Sequence, residues 1–289
     1  DKEILHLIKN GSGENVFHEN PLEIAAQIIY GRDEDRRSLR GSDLMKIEEA
    51  ILSRKRPKDF RFQKIYDESM ATLKKRSGKE FILHDGIIIP LPYKDPDERQ
   101  NERLYVTGPS GSGKSTWINK WLRMYNKFYP KANIYVFSKL DEDESLDEKI
   151  GKRLIRVNLE EELPTDFEPY SVVIFDDIDA IKNKELKKNI QKMRDELLET
   201  GRHKDLIIIT VSHQIMNYRE TRESINESTA VTFFLKNGTA YHINRFLNTY
   251  MGLDKNTIQK ILNLPSRWVT LYKNAPRFIL HEKGAMIID

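Results

Sequence analysis

Apolar runs and polar stretches alternate along the second half of the chain in the rhythm of strands and helices. Leu104-Tyr-Val-Thr107, Asn133 to Ser138, Arg153 to Val157, Ser171 to Asp177, Asp205 to Ser212 and Ala230 to Leu235 each hold a short, nearly unbroken set of apolar side chains. Runs of that length without alternation belong to strands buried on both faces. Between them the period turns helical. Thr116 to Leu122 puts Trp117, Trp121 and Leu122 on one side, and Asn183 to Thr200 runs on until Gly201, a residue that stops helices. Strands separated by helices predict an α/β fold with a mainly parallel sheet covered by helices on both faces. Ligands of such sheets bind at the carboxyl ends of the strands.

The flanks read differently. Pro21 to Tyr30, with Asn20 as N-cap and Pro21 in the first turn, predicts a helix. Ser42 to Leu52 predicts another, with Leu44, Ile47, Ala50 and Ile51 on one face. Ser53 to Lys64 is basic with two interleaved phenylalanines and reads as a solvated connector. Phe81 to Pro90 carries two apolar runs around Asp85-Gly86, a hairpin signal. Tyr93 to Arg103 is a polar linker. Beyond residue 236, Tyr241 to Tyr250 and Asp254 to Leu262 predict short helices, and Arg267 to Lys273 and Arg277 to His281 predict paired strands around Asn274-Ala-Pro276. Four segments result: a charged helical arm over 1–75, a β-hairpin and linker over 76–100, the α/β core over 101–236 and a small α+β extension over 237–289.

The core opens on Gly108-Pro109-Ser110-Gly111-Ser112-Gly113-Lys114-Ser115, which fits G-x-x-x-x-G-K-[ST] at every fixed position, between a strand and a helix. Its glycines let the backbone curl until N–H groups face a phosphate chain at a helix N-terminus, where anions are favoured. Lys114 then sits against the β- and γ-phosphates, the Ser115 hydroxyl ligates Mg²⁺, and Thr116 completes the loop. This is a nucleoside triphosphate site of the P-loop kind, with ATP and Mg²⁺ as the expected cofactors.

The apolar strand Ser171 to Phe175 runs into two carboxylates, a Walker B pattern. Asp176, at the strand end, is placed to hold Mg²⁺ opposite Ser115, and Asp177 to orient or deprotonate the attacking water. A glutamate is commoner at this second position, and Asp177 is shorter by a methylene. Asp179 reads as a helix-start residue. The next strand ends Ser212-His213-Gln214, polar groups placed to sense the γ-phosphate. Arg202, between helix and strand, reads either as an arginine finger for a neighbouring subunit or as a cation complementing a helix C-terminus. Arg219 and Arg222 are rival candidates for the finger.

Composition narrows the rest. With 48 Lys and Arg against 45 Asp and Glu, bulk charge points to no polyanionic partner, so any nucleic-acid surface is local. The absence of Cys excludes disulfides and Cys-ligated zinc. No apolar run reaches the roughly 18–20 residues of a membrane span, and a soluble, intracellular setting is the expectation. The C-terminal mixture of basic and aromatic residues (Arg245, Lys260, Arg267, Phe246, Trp268, Tyr272) reads as an aromatic core with a solvated rim, with a DNA-contacting face as the alternative.

Gly108 to Ser115, Val172 to Asp177, the Gly201-Arg-His203 turn, the apolar strand after it and Asn226 to Phe234 follow one another as in the poxvirus-type genome-packaging ATPases of nucleocytoplasmic large DNA viruses, within the FtsK–HerA group of P-loop translocases. The chain resembles that family over residues 102–236. The resemblance implies a P-loop core whose Walker A and B strands are separated by an inserted strand. It also implies a homo-oligomeric ring, an arginine supplied in trans, and ATP hydrolysis that pulls viral double-stranded DNA into a capsid. Such a protein works in the host cytoplasm, at a virus factory, and in the virion, with capsid or membrane-associated virion proteins as further partners. Two other classes share the loop: a small-molecule kinase, which needs a basic lid and an acceptor pocket, and a nucleotide-gated assembly scaffold, which turns ATP over very slowly.

Overall fold

The computed structural model describes residues 8–9, 15–19, 46, 50, 55–82, 87–92, 102–217, 220–235, 240–273 and 277–288. The chain divides into two compact units, one formed by residues 1–90 with 271–289 and the other by residues 91–270. Composition had placed the boundaries at 76, 101 and 237, whereas the last nineteen residues group with the N-terminal part.

In the first unit, β1 (Ile8–Lys9) pairs antiparallel with β2 (Asn15–Glu19), and β2 pairs parallel with β4 (Ile87–Pro90). Strand β13 (Gly284–Ile287) lies antiparallel between β12 (Phe278–His281) and β3 (Glu80–Ile82). The two runs expected to form a hairpin are therefore strands, but they do not pair with each other. All four residues of β4 are buried, Ile88 completely. A strand covered on both faces is satisfied by whichever distant strands enclose it, and the local turn signal loses to that burial. Asp85 and Gly86 themselves lie outside the described residues, as do the helices expected over 21–30 and 42–52 apart from Lys46 and Ala50, which are helical.

The basic segment is also more than a connector. Its second half opens helix α1 (Phe60–Arg76), which Asp59 caps by accepting from the Arg61 N–H. Phe62 is buried in the unit while Phe60 is 80% exposed. Arg56 pairs with Asp67 in a two-point contact of 3.0 and 2.6 Å, so part of the basic charge is already matched.

The second unit is built on a sheet in the order β11-β10-β5-β9-β8-β6-β7, with β5 (Arg103–Thr107), β6 (Ile134–Ser138), β7 (Leu154–Arg156), β8 (Val172–Asp176), β9 (Ile207–Ser212), β10 (Ala230–Phe234) and the first residues of β11 (Trp268–Tyr272). Every pair from β10 through β7 is parallel. Strand β9 lies between β5 and β8, which is the inserted strand the resemblance implied. Alternation along β8 sends Val173 and Phe175 to one face, where they pack with Phe137, Ile208 and the buried stripe Ile190, Leu197 and Leu198 of α4 (Lys184–Thr200). Val172 and Ile174, on the other face, are fully buried as well.

Helix α2 (Lys114–Phe128) buries Trp117, Ile118, Trp121, Leu122, Met124 and Tyr125. Trp121 stacks on Tyr125, Tyr125 on Tyr129 and Tyr129 on Tyr170, so an aromatic row anchors the helix that follows the glycine loop. Helices α6 (Ala240–Thr249) and α7 (Lys255–Leu262) form as expected, the latter capped by Asp254.

Helix α4 does not end in a left-handed Gly201. Gly201 stays right-handed (φ −55°) and starts a 3₁₀ turn over Gly201–Lys204, and Asp205 takes the left-handed conformation with φ +54°. Gly201 is buried, and a Cβ there would stand at ordinary van der Waals distance, 3.5 Å from Ile208 and 3.7 Å from Leu206. At the other end, the Asn183 side chain accepts from the N–H groups of Glu185 and Leu186. Asn183→Ala is expected to cost about 1 kcal/mol, the usual value of an N-cap, read as a lower urea midpoint with an unchanged slope.

Candidate nucleotide site

The carboxyl ends of β5, β8 and β9 converge on one patch of backbone and charge. Gly108 leaves β5 with its N–H on the Ser212 carbonyl of β9, at 3.1 Å. A Cβ on Gly108 would lie 2.7 Å from Ser112 Oγ and 3.0 Å from the Phe234 ring, so the tight start of the loop excludes any side chain. Gly111 and Gly113 hold φ of +74° and +104°, the left-handed curl that turns the loop into α2. Ser112 Oγ is buried there without a hydrogen-bond partner. Ser110 and Thr116 are exposed at the loop surface and Ser115 is half-buried on the first turn of α2.

Lys114 is only 8% exposed. Its Nζ donates to the Gly108 carbonyl at 2.8 Å and to His213 Nδ1 at 3.2 Å. Burial lowers its pKa, against the attraction of Asp177, Asp176 and Asp143. An ammonium has no acceptor, so Nδ1 of His213 presents its lone pair and Nε2 carries the proton. That Nε2 lies 2.8 Å from Asp177 Oδ2, an ion-pair contact. Lysine, histidine and aspartate thus stand in one row across three segments of the sequence.

Asp176 ends β8 beside Ser138 of β6, whose hydroxyl donates to it at 3.2 Å. Burial first and repulsion by Asp177 second push the Asp176 carboxyl up to about 6. A carboxylate in that condition lacks counter-charge. The oxygens of Ser115 and Asp176 are hard donors, and among the described residues no group of three or more His, Cys, Asp or Glu side chains is placed to hold a metal ion by itself. So sparse a set suits Mg²⁺, which is held by one or two protein oxygens with phosphates and water completing its shell.

Asp177 adopts φ +44° and ψ +38°, a conformation rare outside glycine, and its Oδ1 is buried without a partner. Strain of this kind persists where neighbours enforce it, as they do at working sites. His213 and Gln214 line a cleft of about 270 Å³ with Asp177, Asp179, Ala180, Asn217, Glu220 and Thr221.

The other candidates lie elsewhere. Arg202 is exposed on the 3₁₀ turn before β9, at the opposite end of that strand from Ser212. At ~3.3 Å per residue the six residues of β9 keep it on the order of 20 Å from the glycine loop. Arg222 is exposed at the start of α5 (Arg222–Glu227), next to the cleft residue Thr221, and Arg219 lies outside the described residues.

Three contributors were not singled out in the sequence. Asp143, in the acidic run Asp141 to Glu144, caps the short helix α3 (Glu144–Asp147), and its charge acts on Lys114 and Asp176. The pattern Asp143-Glu-Ser-Leu, a cap residue before a buried apolar one, was the available signal. Ser138 is the register partner of Asp176, which only the pairing of β6 with β8 reveals. Tyr105 is wholly buried and bonds Ser212 Oγ at 2.6 Å and the Gln214 carbonyl at 2.9 Å, fixing the turn that carries His213.

A family model described as an AAA domain matches residues 100–236. The chain is 38% identical over 217 residues to the uncharacterized protein V3 of Sputnik virophage, a match covering 73% of this chain and 85% of V3. The chain belongs to the same family as V3. With the domain match and its own motifs, it is a P-loop ATPase. Among solved structures it is similar to the genome-packaging NTPase B204 of Sulfolobus turreted icosahedral virus 2 bound to AMP, with 16% identity, a TM-score of 0.45, and 65% of this chain and 98% of B204 covered. It is also similar to the cytoplasmic domain of the type VII secretion ATPase EccC of Thermomonospora curvata, with 10% identity, a TM-score of 0.44, and 63% and 25% covered. Among the described residues no helix is long and apolar enough to cross a membrane.

The raised Asp176 carboxyl makes the nucleotide-free protein pH-sensitive. An acid whose folded pKa exceeds its unfolded value costs stability once it ionises, so the penalty grows as pH rises from 3.8 towards about 6 and is absent below. Asp176→Asn is expected to match wild type near pH 4 and to exceed it at pH 7 by roughly 1–3 kcal/mol, from a shift of about two units. Denaturant titration at the two pH values, without Mg²⁺, measures this.

Proposed function

We propose that the chain is an Mg²⁺-dependent ATPase motor that moves double-stranded DNA into a viral capsid, acting as a ring. The observation that carries the reading is the convergence of the glycine loop, Lys114, Asp176, Asp177 and His213 at the carboxyl ends of adjacent parallel strands. The loop from Gly108 to Gly113 would cradle the phosphates with its N–H groups, joined by the buried Ser112 hydroxyl. Lys114 would leave the Gly108 carbonyl and neutralise the β/γ oxygens. Ser115 and Asp176 would hold Mg²⁺, which supplies charge neutralisation on the phosphates when bound. Asp177 and His213 face the attacking water, and Gln214 lines the same cleft and would sense the γ-phosphate.

The ring rests on Arg202. Exposed and about a strand's length from its own loop, it reaches a phosphate only on another copy, as an arginine supplied in trans does. Double-stranded DNA rests on the resemblance of residues 102–236 to packaging ATPases, which also supplies the proposed setting: the host cytoplasm at a virus factory, the virion, and capsid or membrane-associated virion proteins as further partners.

Steady-state hydrolysis with and without double-stranded DNA, at two salt concentrations, tests the reading. The expected result is turnover that DNA stimulates, stimulation that weakens as salt rises because phosphate contacts release counterions, and none in Lys114→Ala. Turnover that ignores DNA removes the translocation claim, and turnover in Lys114→Ala removes the site.

A further inference from the structure

Asp177 is one methylene shorter than the glutamate that commonly stands at its position, and it does not face the phosphate site alone. His213 lies between it and Lys114. Asp177 Oδ2 lies in ion-pair contact with His213 Nε2 at 2.8 Å, while His213 Nδ1 accepts from Lys114 Nζ at 3.2 Å. The donor-only ammonium settles the tautomer: the protonated nitrogen faces the carboxylate, and the bare lone pair faces the space that Lys114 occupies. Phosphates draw Lys114 towards themselves, so the nitrogen left without a donor is the one that faces the γ-phosphate region. The backbone enforces the arrangement from both sides. Asp177 is held left-handed with its N–H on the Val211 carbonyl at 3.3 Å, and the His213 turn is tied through Ser212 and Tyr105. His213 itself is half exposed to the cleft of about 270 Å³, which has room for water.

We propose that His213 is a catalytic residue: its Nδ1 takes the proton from the attacking water, and Asp177 acts through it, orienting the ring and balancing the imidazolium. The proposal rests on the ATPase reading above. In the step, the water oxygen forms a bond to the γ-phosphorus while the bond from that phosphorus to the β-bridging oxygen breaks, its electron pair leaving with ADP. The water proton passes to Nδ1, and later to phosphate or solvent, so one water and one ATP give ADP, phosphate and a proton. The histidine lengthens the reach of a short carboxylate, performing with two side chains what a glutamate does with one. Besides Asp177, the charged groups about this histidine are Lys114 on α2, Asp179 and Glu220 along the same cleft and, acting on Lys114, Asp176 at the end of β8 and Asp143 at the cap of α3.

The test uses the full chain in single-turnover hydrolysis, alongside binding of a fluorescent ATP analogue with Mg²⁺. His213→Ala is expected to slow hydrolysis by about 100-fold or more, the usual contribution of a general base, while binding changes little. Added imidazole restores part of the rate, and Asp177→Glu in the His213→Ala background restores at least about tenfold, because the longer carboxylate then reaches the water directly. His213→Ala at close to the wild-type rate overturns the proposal and leaves the ATPase reading standing. So does a deep loss that neither imidazole nor Asp177→Glu relieves, or a loss of analogue binding, since either outcome marks a structural role. Wild-type hydrolysis no faster than Lys114→Ala overturns both readings together.

Discussion

Two neighbouring carboxylates at the end of a buried strand, with one lysine to answer them, set the terms for the rest of this structure. Asp176 is almost wholly removed from water and is repelled by Asp177, and its carboxyl is pushed up to about 6 as a result. Charge in such surroundings is tolerated only when compensation is near, or is about to arrive. Here the compensation is partial. Lys114 supplies one positive charge, itself weakened by burial, and Ser138 supplies one hydrogen bond. The deficit is what a divalent cation arriving with a triphosphate removes.

The fold exists, in this sense, to hold that imbalance still. Parallel strands β5, β9 and β8 bring the glycine loop, the Ser212–Gln214 turn and the aspartate pair to the same edge, at the carboxyl ends of the strands. Their apolar bodies are buried on both faces, and the aromatic row behind α2 fixes the helix whose N-terminus faces the phosphates. The strained position at the site, Asp177, sits where strand β8 turns into a 3₁₀ helix. Strain is placed where the ligand binds, and the stability that offsets it lies in the layers beneath.

What could be read from the residues follows the range of the interactions concerned. The glycine loop and the strand ending in Asp176-Asp177 were legible because each expresses a local constraint: a curl only glycine allows, and a run with no polar face. The hairpin at Asp85-Gly86 failed for the opposite reason. Partner choice for Ile87–Pro90 is decided by burial against strand β2 far upstream, and no local turn residue encodes it. Gly201 was read as the helix stop and does cap that helix, but the left-handed residue falls on Asp205, four positions on. The chain from Lys114 through His213 to Asp177 joins residues up to 99 positions apart, and only the order of strands brings them together. His213 was visible as a polar group at a strand end; its tautomer and its two partners were not.

The central claim is that this pocket is built for a nucleotide arriving with its cation. The most direct measurement is the shift in thermal midpoint produced by a non-hydrolysable ATP analogue, with Mg²⁺ and with EDTA, in wild type and in Lys114→Ala. Binding to the folded state alone raises the midpoint in proportion to the logarithm of ligand over Kd. The account predicts a clear rise with Mg²⁺, a much smaller one in EDTA, and almost none in the Lys114 variant. An equal rise with and without Mg²⁺, or a full rise in Lys114→Ala, would contradict it.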